Sequence, residues 1–255
     1  MFRSRHNTNN RKQLYCKKYF MNNKFLIFLF LIFQSSTIYS QLITDRPSQT
    51  DSPSVIETGY IQIETGISAD EIQSNINSLV RIGILNGVEL RINSNYIIND
   101  EISFQKKSSF GDFELGSKFT ILDKDQINTN VSFLTYLSIP TAPEVFSFNN
   151  YGFLNKLLVS HNLTSDSEIG YNIGYNKFIN YDGKYIYSLA YGKTLESFSI
   201  FFELFGDSNS DTFDFNFDSG LTYLIDNDKQ LDLSIGKGLN NDLFFVKLGF
   251  SIRIY

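Results

Sequence analysis

Asp242-Leu-Phe-Phe-Val-Lys-Leu-Gly-Phe-Ser-Ile-Arg-Ile-Tyr255 runs to the last residue on a strict alternation. Phe244, Val246, Leu248, Phe250, Ile252 and Ile254 share one parity, and Lys247, Gly249, Ser251 and Arg253 hold the other. Successive side chains of a strand point to opposite faces, so a period of two marks a strand with one apolar and one polar face. Alternation and turn residues together give twelve strand candidates: about 60–68, 78–84, 88–97, 110–121, 127–139, 152–161, 167–176, 184–193, 198–206, 212–225, 230–237 and 243–255. An even number returns both ends of an up-and-down barrel to one side.

The connections alternate in length as well. Short turns fall at Leu85–Gly87, Leu122–Gln126, Asn162–Asp166, Thr194–Ser197 and Asp226–Lys229; longer segments fall at 69–77, 98–109, 140–151, 177–183 and 207–211, and Gly238–Asp242 is short on the long side. With a periplasmic N-terminus, every short turn lies in the periplasm, as membrane barrels require. A soluble lipocalin-like barrel also alternates, but with about eight strands and its apolar face inward. Twelve longer strands behind a secretory leader predict the reverse: an all-β, closed antiparallel up-and-down transmembrane β-barrel, apolar face outward, with periplasmic N- and C-termini.

The leader is residues 21–40. Lys24 precedes an unbroken apolar stretch, Phe25–Phe33, and a polar exit, Gln34–Ser40, which is signal-peptide order in a stretch too short to span a bilayer as a helix. Met21 then serves as an alternative start, with residues 1–20 an N-terminal extension. Cleavage after Ser40 removes seven of the 22 Lys and Arg and none of the 27 Asp and Glu, which leaves a net charge of −12 and argues against nucleic acid as a partner. Cys16 leaves with the leader, so the mature chain has no disulfide. One histidine remains, too few for an ordinary zinc site, and no cofactor is expected. Residues 59–255 form the barrel, and the aperiodic, polar stretch 41–58 is an extended periplasmic segment, a cap or a small plug.

One hairpin can be registered. A three-residue loop, Leu85-Asn86-Gly87 with Gly87 left-handed, pairs Ile84 with Val88 and Gly83 with Glu89, and keeps the apolar phases of both strands together. That register sets Arg81 opposite Arg91, which is unfavourable without countercharge. Glu64, Glu89, Asp112 and Glu114 share the polar phase, so an Arg and carboxylate cluster is expected on one wall of the lumen. Lys118, Lys156, Glu168, Asn172, Glu203, Asp214, Asp218, Asp232, Lys247 and Arg253 are further lumenal positions, and Tyr255 falls in the same parity.

Several segments resemble the outer-membrane family catalogued under the MetA pathway of phenol degradation, whose members are often labelled transporters. These are Thr44-Asp-Arg-Pro-Ser-Gln-Thr-Asp51 with Gly59–Thr65, Arg81-Ile-Gly through Glu89-Leu-Arg91, Gly111-Asp-Phe-Glu-Leu-Gly-Ser-Lys118, Ser138-Ile-Pro-Thr141, Leu158-Val-Ser-His161, Phe217–Tyr223 and Leu231–Gly238 with Leu239-Asn240. The resemblance implies an outer-membrane barrel. A link to aromatic compounds comes with the family label and from no residue of this chain.

Catalytic signals are weak. Ser160 and His161 are strand neighbours pointing to opposite faces, so they cannot act on one another. Asp207-Ser-Asn-Ser-Asp211 and Asp226-Asn-Asp228 could offer oxygens to calcium but read as solvated turns. The expected function is a passive outer-membrane channel or transporter for small solutes, with lipid and the barrel-insertion machinery as partners. The alternative is a non-conducting structural or interaction barrel.

Overall fold

Thirteen strands, all antiparallel, make a single sheet in the computed structural model, which describes residues 42–70, 73–99, 107–124 and 128–255. They are β1 Ile61–Ala69, β2 Gln73–Leu85, β3 Val88–Asn99, β4 Ser108–Phe110, β5 Phe113–Lys124, β6 Thr129–Ile139, β7 Gly152–Asn162, β8 Ser167–Phe178, β9 Lys184–Leu195, β10 Phe198–Ser208, β11 Phe213–Asp226, β12 Lys229–Gly238 and β13 Phe244–Ile254. The proposed leader lies outside the described residues.

Consecutive strands pair, except that β5 pairs with β3 and not with β4, and β1 pairs with β13 from Ile61↔Ile254 to Ala69↔Val246. The ring is therefore closed, and both ends of the barrel chain lie at one end of it. Among the described residues closure leaves only the short β4 paired on one side, and the ring of longer strands has no open edge, the condition that hydrocarbon surroundings impose on a strand-built protein. The predicted fourth strand is two pieces. β4 and β5 both pair with β3, and between them Gly111 and Asp112 leave the ladder, Gly111 N–H donating to Asn95 O at 2.8 Å.

The faces separate as expected. On β12, Leu231, Leu233 and Ile235 are exposed while Gln230, Asp232 and Ser234 are buried; on β3, Leu90 and Ile92 are exposed while Glu89 and Arg91 are buried. A closed barrel with an apolar outside and a charged inside suits lipid, not water. Leu90→Arg is accordingly expected to lower stability in a bilayer by about 2–4 kcal/mol, whereas Asn95→Arg, pointing into a cavity, is tolerated. Urea titration of both variants in vesicles checks this, and equal losses would mean the faces are misassigned.

Three details differ from the sequence reading. The loop expected at 69–77 is shorter, because β1 runs to Ala69 and β2 begins at Gln73. In the β2–β3 hairpin Gly83↔Glu89 and Arg81↔Arg91 hold and Gly87 has φ +77°, but the bulge falls between Gly83 and Leu85, so Leu85, not Ile84, pairs with Val88. Tyr255 lies beyond the last strand, 92% exposed, with its ring 5.1 Å from that of Tyr60, so strand parity does not govern it.

Candidate functional site

Arg81 and Arg91, side by side on β2 and β3, are the centre of a buried ionic cluster. Arg81 uses all five N–H donors: Nε and Nη2 to Glu89 at 3.0 Å each, Nη1 to Glu64 at 3.0 Å and to Ile43 O at 3.2 Å, and Nη2 to Ser54 O at 2.9 Å. Arg91 bonds Glu89 at 2.9 Å and the hydroxyl of Tyr136. The countercharge that the Arg–Arg pair demands comes from Asp45, 2.6 Å from Arg91 and 3.9 Å from Arg81. Lys118 on β5 closes the group, 3.1 Å from Asp45 and 3.8 Å from Glu89. Three cations thus face three carboxylates, Asp45, Glu64 and Glu89, with every side chain almost fully buried.

Asp45 belongs to the segment 42–58, which runs among interior side chains on several sides of the barrel. Burial alone would raise its carboxyl pKa, but Arg81, Lys118 and Arg91 together outweigh that and hold it well below the usual carboxylate range. Arg46 reaches Asp232 on β12 at 3.3 Å. Its guanidinium lies against Gly66 of β1 and Gly249 of β13, where a methyl group at either position would overlap it. Glu203 on β10 accepts from Gln49 N–H at 2.7 Å and from the Thr50 hydroxyl. Lys156 on β7 bonds Asp51 at 2.6 Å, Lys247 bonds Pro47 O at 3.1 Å, and Ser132 bonds Pro53 O.

The segment divides the interior. A cavity of about 290 Å³ on the short-turn side is lined by Asn162, Asp166 and Lys193, and cavities of about 1070 and 590 Å³ lie on the other side. Arg46, Pro47, Ser48 and Asp51 line both the first cavity and the last, so this stretch is the partition.

The family model described as "Putative MetA-pathway of phenol degradation" matches residues 44–254. The chain belongs to that family. Among solved structures it is similar to the COG4313 outer membrane channel from Pseudomonas putida F1, at 11% identity and TM-score 0.63, over 82% of this chain and 100% of that one. It is similar also to the KdgM porin, solved in complex with disordered oligogalacturonate, at 14% identity and TM-score 0.59 over 76% and 99% of the two chains. The NanC porin aligns at 14% identity and TM-score 0.55 over 75% and 98%. At these identities the likeness is one of fold. No curated protein matches the chain.

In this family member Glu64, Arg81, Glu89 and Arg91 come together, and Lys118, expected only as a separate lumenal position, joins them. Glu114 sits beside them, accepting from Asn93 at 2.7 Å. Asp112 does not join. Released from the ladder with Gly111, it accepts from Thr141 N, Ala142 N, Ser147 Oγ and Phe148 N and so organises the 140–151 loop. Glu203 and Asp232 take up the segment 42–58, while Asp218 stands directly across from Glu203 with no hydrogen-bond partner on its carboxylate. Sequence reasoning missed Asp45, Arg46 and Asp51 as partners; the signal was the Asp-Arg-Pro run itself, a charged stretch in an otherwise aperiodic segment. His161 bonds Thr129 at 2.8 Å and Tyr171 at 3.3 Å, apart from Ser160.

Proposed function

We propose that the chain is a bacterial outer-membrane channel for small solutes, with periplasmic termini and residues 42–58 as its plug, and that Glu64, Arg81, Glu89, Arg91, Asp112, Glu114, Lys118, Glu203, Asp218 and Asp232 line the path. The observation that carries this is the interior. It holds water-sized space on both sides of a polar partition, where an eight-stranded barrel would be filled by side chains. The family match and the likeness to channels and porins support the same reading. Lipid, the insertion machinery and a small solute are its partners, nucleic acid has no place in it, and catalysis none, since Ser160 and His161 face opposite sides.

A second reading has its own support: the fully paired cluster at Arg81 suits a strut that locks a silent barrel. The refolded mature chain in a planar bilayer decides between them. The channel predicts discrete, steady current steps from a species that shifts on heating in detergent gels; a folded but silent barrel would leave only the strut.

A further inference from the structure

We propose that the two cavities on the long-loop side form a vestibule for a neutral, polyhydroxylated solute, a short sugar, not an apolar aromatic or an acid. This deepens the channel reading and rests on it.

The cavities share Gln49, Gln73, Leu154 and Lys156 and so adjoin. Primary amides are the most numerous polar side chains of the larger cavity and stand beside charged groups in the smaller. Asn77, Asn93 and Asn95 line the smaller cavity; Asn176, Asn216 and Asn241 line the larger. A primary amide places donor and acceptor side by side, which matches a hydroxyl that both donates and accepts. The amides are also set in orientation. Asn77 Nδ2 donates to Asn93 at 2.8 Å and to Asn95 at 2.9 Å, and Asn241 Nδ2 donates to Asn216 at 2.9 Å. Asn176, on the wall of the larger cavity, keeps its Oδ1 buried with no hydrogen-bond partner in the protein, an acceptor that a small side-chain shift would turn to a ligand hydroxyl.

Charge and shape narrow the solute. Asp70, Asp207, Asp214 and Asp242 line the larger cavity with Lys156; Asp51 holds Lys156 at 2.6 Å and Lys184 holds Asp207 at 2.8 Å, so the lining stays net acidic. An acidic ligand would meet a repulsive field there. An apolar aromatic would strand the amides without hydrogen bonds. Phe205, with its ring 6.3 Å from that of Phe245, supplies an apolar surface for the C–H face of a sugar ring.

Calorimetry on the detergent-refolded mature chain tests this with maltotriose, trigalacturonate, toluene and choline as probes. Maltotriose is expected to bind saturably and more tightly than the other three. Asn176→Leu is expected to weaken it about tenfold, with the folded band unchanged on gels. Asn95→Leu, in the adjoining cavity, weakens it in the same direction and serves if the first variant fails to fold. Tighter binding of trigalacturonate, toluene or choline would overturn the proposal, as would unaltered maltotriose affinity in both folded variants or no saturable binding at all. Maltotriose binding to a barrel that carries no current would support the vestibule and overturn the channel.

Discussion

Arg81→Gln is expected to lower the stability of the folded barrel by about 3–5 kcal/mol, the scale on which removing one partner leaves an uncompensated buried charge. The wild-type cluster balances three cations with three carboxylates; without Arg81, Glu64, Glu89 and Asp45 face only Arg91 and Lys118. The double variant Arg81→Gln/Glu64→Gln restores neutrality and is expected to recover part of the loss, a coupling that a double-mutant cycle reads directly from urea midpoints. If the double variant is less stable than Arg81→Gln by the full effect of Glu64→Gln alone, the cluster is not the strut described. Ion selectivity measured on the same protein adds a second readout, because a cation on the path biases a pore towards anions.

Removing residues 42–58 from the mature chain is expected to raise single-channel conductance several-fold, because those residues separate the cavities at the two ends of the interior. An unchanged conductance in a deletion that still shifts on heating would rule the segment out as the partition. Mild acid should not substitute for the deletion. A carboxyl whose folded pKa is depressed adds stability that is complete above its unfolded pKa and is lost only as pH falls through the lower folded value. Asp45 is such a group, so its ion pairs with Arg91 and Lys118 are expected to persist from about pH 7 to about pH 5, with loss confined to pH well below the ordinary carboxylate range.

The barrel was legible wherever one face is apolar. β12 and β13 alternate without a break, and the Gly83↔Glu89 register follows from turn geometry and phase alone. The first residues of β2 escaped notice for a physical reason. Gln73, Ser74, Asn75 and Asn77 are polar on both parities and leave only Ile76 to signal a strand. They sit where the interior is a cavity and the sheet has little to bury. The ionic cluster was half legible: residues on neighbouring strands could be brought together by register, but Asp45 could not. Its partners Arg81, Arg91 and Lys118 are far along the chain, and an aperiodic segment carries no phase from which its position could be deduced. Asp112 was drawn into the cluster because strand parity was extended through a Gly-Asp step at which the strand stops; it faces the long-loop cavity instead.

The resting place of Arg46 sets an order of events in time. Gly66 and Gly249 face each other across β1 and β13, the first and last strands, and Asp232 stands on the strand beside them. Before the chain's two ends meet, that recess does not exist. The segment 42–58, though it precedes every strand of the barrel, can seat its arginine only as the final act of assembly, and the seated residue then clasps the seam whose completion made room for it.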